Sequence, residues 1–447
     1  MNRALVLGLG LFFAAAAAVP LYRDSLPNGL VVLTYEDPRL PMATVRVACR
    51  SGSVHDPAGK TGLARLTAGL LLGGTAGCPG DSVDETLEFL GARPGAGADY
   101  DYSWVEIQAL TRHLDTALDV LADAVLHPAF EPRRLERERA ALLTSARRDL
   151  DDPNSLASVE FDKWLYGPHP YARPPGGDTA DLPGLTRDDV VLFHSTHYRP
   201  NNCFIIAAGS VTRADVVERV RARFGDWEPD DIPILAAPAV PVPEGVRVRL
   251  IHKPELNQSY VIMGHAGIAY SHPRALAARL MSYILGGSAL ASRLGQSVRE
   301  EGGLAYDVRC WFDRRAMPGA FQATVQTRDP VTAIAKIRAE VNRMHDAGPE
   351  PGELVTARNY YTGSFPLNYS STRGKLYYVM LQEAYRLGDN WIEDFPGQVS
   401  ALTLADLAGS ATLDLHPEHY LIVIVSNLTK EELPLPGVDW VDGNDGP

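Results

Sequence analysis

None of the twelve histidines in this 447-residue chain begins an HxxEH, so no helix offers the two imidazoles and the carboxylate base that a catalytic zinc would need. GxSxG is absent too, which removes a serine-hydrolase elbow. Cysteine is scarce. Cys49, Cys78, Cys203 and Cys310 are scattered without CxxC spacing, which excludes a structural zinc site. Gly59-Lys60-Thr61 looks like the end of a phosphate loop, but Gly52 stands too far upstream to complete one. Positive charge is in deficit: the formal net charge of −13 argues against a nucleic-acid partner. No apolar run reaches the roughly 20 residues needed to span a bilayer.

What is present suits a folded protein of two or three domains, with 45% hydrophobic and 22% charged residues. Arg3 precedes an apolar run, Ala4 to Val19, and Ala16 and Ala18 offer a small-residue cleavage site before Val19-Pro20. Residues 1–18 are therefore expected to be a signal peptide. No Cys follows the run, so a lipoprotein is not expected. The chain would be exported, to a bacterial periplasm, with no stable membrane anchor after cleavage. Cys49, Cys203 and Cys310 lie in the strand-like runs TVRVACR, NNCFIIAAG and YDVRCWF and are expected as buried thiols. An exported chain could oxidise a pair, and the sequence selects none.

The chain is written twice. GLARLTAGLLLGGT resembles ALAARLMSYILGGS. Thr111-Arg112, with Leu118, Leu121 and Val125 at helical spacing, resembles Thr327-Arg328 with Ile334, Ile337 and Val341. Pro132 and Pro351 each open a further helix. Gly74 to Gly287, Thr111 to Thr327 and Pro132 to Pro351 are 213, 216 and 219 residues apart, so the repeat spans a whole domain. DWEPDDIPILAAPAVPVPEG between the halves reads as an extended, semi-rigid linker. Alternation over Thr44 to Arg50 and at Phe321, Ala323 and Val325, with the apolar run Tyr420 to Val425, marks strands. Strands mixed with long helices and no regular βαβ order give an α+β fold: two similar α/β sandwiches, each a mainly antiparallel sheet covered by helices. The expected organisation is a signal peptide over 1–18, an N-terminal domain over 19–228, a linker over 229–245 and a C-terminal domain over 246–447.

LPNGLVV, SGSVHDPAGKTGLA, LLGGT, DYDYS, GPHPYARPPGG and YRPNN in the first half, and GHAGI, LGGSALASRL and VREEGGLAY in the second, are similar to the insulinase/pitrilysin-type zinc peptidases. Within that family the chain resembles the small two-domain subunits similar to mitochondrial processing peptidase. In that family two halves close like a clamshell around an extended peptide. The resemblance places the family's HxxEH on Arg65, Ala68 and Gly69, where a fixed cation opposes a metal and no side chain moves a proton. The distal carboxylate column, set by Asp151-Asp152-Pro153, falls on Ser145 beside Thr144. Glu136 and Glu138 stand about two helical turns upstream and are expected as solvated charges. Gly95-Ala96 replaces the family's Asn-Ala, so a substrate contact is expected to be lost as well.

The family's second element, an Arg and a Tyr seven residues apart that contact substrate from the opposing half, falls on Arg299 and Tyr306. A guanidinium can clamp peptide carbonyls and a phenol can donate to a developing oxyanion. Read without the family frame, Arg299 is a solvated helix residue. Tyr306 would then share a core face with Val308, Cys310 and Phe312. His194 and His197, three apart, read as surface or packing residues rather than metal ligands. The resemblance therefore implies a non-catalytic, substrate-binding subunit with no metal or cofactor of its own. A zinc-bearing homologous subunit would pair with it as a heterodimer that cleaves peptides or small unfolded proteins. The rival expectation is a non-enzymatic peptide-binding or scaffold protein of the same fold.

Overall fold

The computed structural model describes residues 21–441, and the expected signal peptide lies outside them. Among the described residues no helix is long and apolar enough to cross a membrane. The first half holds β1 (Leu21–Ser25), β2 (Val31–Glu36), β3 (Met42–Cys49), β4 (Arg93–Ala98), β5 (Ser103–Leu110) and β6 (Cys203–Gly209). Its helices are α1 (Leu63–Leu70), α2 (Gly80–Phe89), α3 (Leu114–Leu126), α4 (Pro132–Asp151), α5 (Pro153–Tyr166), α6 (Arg187–His197) and α7 (Arg213–Phe224). Residues 226–244 carry neither helix nor strand. The second half holds β7 (Val246–His252), β8 (Ser259–Ala266), β9 (Ala305–Phe312), β10 (Ala320–Thr327), β11 (Tyr420–Ser426) and β12 (Asp439–Val441). Its helices are α8 (Ala275–Ser282), α9 (Pro330–Ala347), α10 (Pro351–Tyr369), α11 (Thr372–Ala384), α12 (Trp391–Ala401) and α13 (Leu404–Asp414).

The two sheets have matching strand orders, β1-β2-β6-β3-β5-β4 and β12-β7-β11-β8-β10-β9. In each, the last long strand inserts at the centre: β6 runs parallel to β2 and antiparallel to β3, and β11 runs parallel to β7 and antiparallel to β8. Every residue of β6 and β11 is buried, so their apolar runs do not alternate because both faces are covered. The outer strands break the symmetry, since β1 is antiparallel to β2 whereas β12 is parallel to β7. Local signals recur at matched places. Pro132 and Pro351 each sit at the start of a long helix, and the capping boxes Thr186/Asp189 and Thr403/Asp406 open α6 and α13.

The halves exchange helices, which the repeat alone does not foretell. Helix α5 of the first half packs on β8 and β11 of the second, and α11 of the second packs on β6 and β3 of the first. Phe161 and Leu165 thus share a core with Ile262, Leu421 and Val423. Leu33, Phe204 and Ile206 share one with Val379 and Met380.

A buried polar knot fastens this exchange. Arg315, 6% exposed, lies 2.9 Å from Asp162 and 3.2 Å from Asp313. Its guanidinium stands 3.9 Å from the Tyr100 ring centroid and 4.8 Å from that of Tyr171. Tyr100 donates to Asp162 at 2.9 Å and Tyr171 to Asp101 at 2.7 Å, while the backbone N–H groups of Ala316 and Met317 bind Asp101 and Tyr171. Further out, Lys375 pairs with Asp37 at 3.0 Å and Arg50 with Glu383 at 3.1 Å. Arg315→Ala would leave Asp162 and Asp313 buried without their cation. It is expected to lower unfolding free energy by about 3–5 kcal/mol in a urea titration, and an unchanged midpoint would contradict this.

Candidate functional site

Helix α1 is fixed at its start by Asp56, which accepts the backbone N–H groups of Gly62 and Ala64, each at 2.8 Å. Burial pushes the Asp56 carboxyl up to about 7. Gly62 has φ of 99°, and a Cβ there would lie 2.7 Å from Gly177 Cα. The GKTGLA and RPPGG segments therefore need glycine where they meet. This places Arg65, Ala68 and Gly69 on a helix packed between α4, α6 and β4.

None of the three offers a metal donor. Arg65 Nη1 donates to the Ala96 carbonyl of β4 at 2.9 Å, Ala68 is fully buried, and Gly69 has no side chain. Glu138 is not a purely solvated charge as expected. It is half-buried over Gly69, its Oε1 2.7 Å from where a Cβ would sit. The α4 helix leans on α1, so the space a longer side chain would occupy is taken by the carboxylate. Ser145 lies two turns further along α4, with its hydroxyl accepting from Arg148 at 3.2 Å. Gly95 also has a packing role. A Cβ there would lie 3.2 Å from the Trp104 ring and one at Gly97 would lie 3.0 Å from it, so the glycines admit the indole against β4. Arg46 then stacks 4.5 Å from Trp104 and pairs with Glu106 at 2.6 Å.

Arg299 and Tyr306 come together. The guanidinium stands 5.0 Å from the Tyr306 ring, and Arg299 is half-buried at the end of the helical segment Gly295–Glu300. Tyr306 is 85% exposed, not a core residue, although Val308 and Cys310 on its strand are buried. A register shift in the β9–β10 pairing, between Val325 and Thr327, explains the difference. An extra residue on one strand breaks the alternation and re-aims the side chain outward.

The remaining sequence candidates are structural. His194 Nε2 meets the Val125 carbonyl at 2.8 Å, and His197 Nδ1 meets Ser51 Oγ at 3.1 Å. Burial pushes both imidazoles down to about 4, so they are neutral at neutral pH. All four cysteines are free thiols. Cys49, Cys203 and Cys310 are buried as expected, while Cys78 is only half-buried. Cys49 and Cys203 stand opposite each other in the β3–β6 register.

A large cavity was not legible in the motifs. It is a cleft of about 1250 Å³ between the halves, walled by the β3–β5–β4 face of the first sheet and by α8, α10, α11 and the end of β9 from the second half. Arg65, Ala68, Gly69, Arg299 and Tyr306 all lie outside its lining. The tyrosine doublets Tyr360-Tyr361 and Tyr377-Tyr378, which line it, were the available signal.

This geometry defines a two-module α+β fold with no metal donor at Arg65, Ala68 and Gly69. Residues 31–157 match the family model described as insulinase (peptidase family M16), and residues 184–361 match the one described as peptidase M16 inactive domain. The chain belongs to the M16, or insulinase, family of peptidases and their homologues. It is 24% identical over 409 residues to the uncharacterized zinc protease YmxG of Bacillus subtilis, covering 90% of this chain and 98% of that one. It is 30% identical over 313 residues to the uncharacterized zinc protease Rv2782c of Mycobacterium tuberculosis, covering 68% and 70%. The crystal structure of a peptidase M16 inactive domain from Pseudomonas fluorescens, 27% identical, matches with a TM-score of 0.83 over 92% of this chain and 98% of that chain. A Helicobacter pylori protease, 20% identical with a TM-score of 0.83 over 91% and 99%, shares the fold.

The residues present do not fit the zinc that this family implies. Arg65 supplies a fixed charge of the wrong sign, and the atoms nearest a Cβ at Gly69 all belong to the Glu138 side chain. Among the described residues no three His, Cys, Asp or Glu side chains are grouped to hold a metal ion. After equilibration with zinc and dialysis, the chain is expected to retain no stoichiometric metal by elemental analysis. One retained zinc that disappears in Glu138→Gln would contradict this.

Proposed function

We propose that this chain is the non-catalytic, substrate-binding subunit of an exported heterodimeric zinc metalloendopeptidase, acting on peptides or small unfolded proteins. A homologous partner would bring the zinc, which when bound polarises the scissile carbonyl and activates water. The observation that carries this reading is selective loss. Donors are missing at Arg65, Ala68 and Gly69, while Arg299 and Tyr306 stand side by side with the phenol in solvent. Arg65 also donates to a carbonyl on β4, a strand at the sheet margin, and so competes with any bound chain for that acceptor.

In this arrangement Arg299 holds peptide carbonyls of a substrate bound by the partner. Tyr306 donates its phenolic proton as a hydrogen bond to the oxygen that gains charge. The exposure of Tyr306 suits delivery across an interface, because a group with its own chain around it could not reach a partner's substrate. Export to a periplasm belongs to the same proposal and rests on the apolar leader.

A second reading, a peptide-binding or scaffold protein with no proteolytic partner, draws on the large cleft formed within the single chain. Co-expression with an HxxEH-bearing homologue separates the two. In the active complex Tyr306→Phe is expected to lower kcat about 100-fold. Arg299→Ala is expected to lower kcat/KM about 10-fold or more. Full activity of both variants would sink the role in trans.

A further inference from the structure

The cleft between the halves has a charge opposite in sign to that of the chain as a whole. Its lining carries six arginines (Arg46, Arg93, Arg279, Arg309, Arg314 and Arg373) against two carboxylates, Glu106 and Asp313, in a chain of net charge −13. Two arginines are neutralised locally, Arg46 by Glu106 at 2.6 Å and Arg309 by Asp307 at 2.8 Å. Asp313 is committed to Arg315 at 3.2 Å. No carboxylate among the described residues lies within salt-bridge distance of Arg279 or Arg314.

Both free guanidinium groups are held by aromatic rings instead. Arg279, on α8, lies 4.7 Å from the Tyr361 centroid and 5.3 Å from that of Phe395. Arg314 donates to the Tyr377 hydroxyl and lies 5.9 Å from the Tyr270 centroid. An aromatic contact holds a guanidinium without using up its five N–H donors, and those left over can take a carboxylate. A concave, half-enclosed wall concentrates the field of these charges. The cleft exceeds the roughly 300–1,000 Å³ of a small-ligand pocket, so it has room for several residues of extended chain.

We propose that this cleft is a subsite for acidic peptide segments, resting on the reading of the chain as a peptide binder. Arg279 and Arg314 pair with Asp or Glu side chains of the bound segment. Tyr270, Tyr361 and Tyr377 pack against its aromatic or apolar neighbours. The chain would thereby select acidic over basic substrates at a place separate from Arg299 and Tyr306.

The test is fluorescence anisotropy on the purified full chain with short rhodamine-labelled peptides that alternate Phe with Glu, with Gln or with Lys. The Glu peptide should bind about 10-fold or more tightly than the Gln peptide, and the Lys peptide most weakly. That advantage should shrink as salt is raised. Arg279→Gln and Arg314→Gln should each weaken binding of the Glu peptide more than that of the Gln peptide and so erase most of the preference, and Arg279→Lys should restore part of it. The salt dependence of the unmodified protein decides the matter even if a variant misfolds. Equal binding of all three peptides would overturn the acidic subsite but leave peptide binding intact. Binding of none would overturn the peptide-binding reading itself, and this inference with it.

Discussion

One buried cation ties the two halves of this molecule together. Arg315 sits where the first-half residues Tyr100, Asp101, Asp162 and Tyr171 meet the second-half segment from Asp313 to Met317. A buried guanidinium is tolerated only where carboxylates and ring faces replace its water, and the required partners come from both halves. The halves therefore have one low-energy arrangement. Separating them would part Arg315 from Asp162 and leave each without its buried partner.

The exchanged helices extend that constraint across the molecule. Because α5 covers the second sheet and α11 covers the first, neither sheet has a complete core without the other half. The cleft follows from the same arrangement. Helix α11 shields the β6 side of the first sheet, and the β3–β5–β4 side faces α8, α10 and the end of β9 across open space. Arg314 and Arg315 are adjacent in sequence with opposite assignments, one exposed in the cleft and one buried at the joint. Fixing the joint fixes the cleft wall. The β9 strand that ends there also carries Tyr306, so the exposed Arg299–Tyr306 pair is held by the same frame.

Much of this was legible from residues alone. The repeated GG-ended helices, the two helix-opening prolines and the apolar runs of β6 and β11 specify matched sandwiches, because period and capping are local properties. The substituted positions Arg65, Ala68 and Gly69 were legible through the family frame. Three features were not. The outward turn of Tyr306 depends on a register shift against β10, which no single strand reveals. The half-burial of Glu138 depends on how closely α4 leans on α1 at a glycine. The cleft depends on residues more than 200 positions apart, such as Trp104 and Arg314, brought together only by the helix exchange. Gly95 shows the same limit: compared with its family it is a lost contact, yet in the fold it is the space Trp104 needs.

The proposed division of labour, with no metal donor at Arg65, Ala68 and Gly69 and an exposed Arg–Tyr pair, is a statement about composition. Native mass spectrometry of the complex carried by the tagged chain, isolated from its own cells, measures it directly. The account predicts a one-to-one assembly with a homologous HxxEH-bearing chain that holds one zinc. A homodimer or a monomer free of any such chain would contradict it.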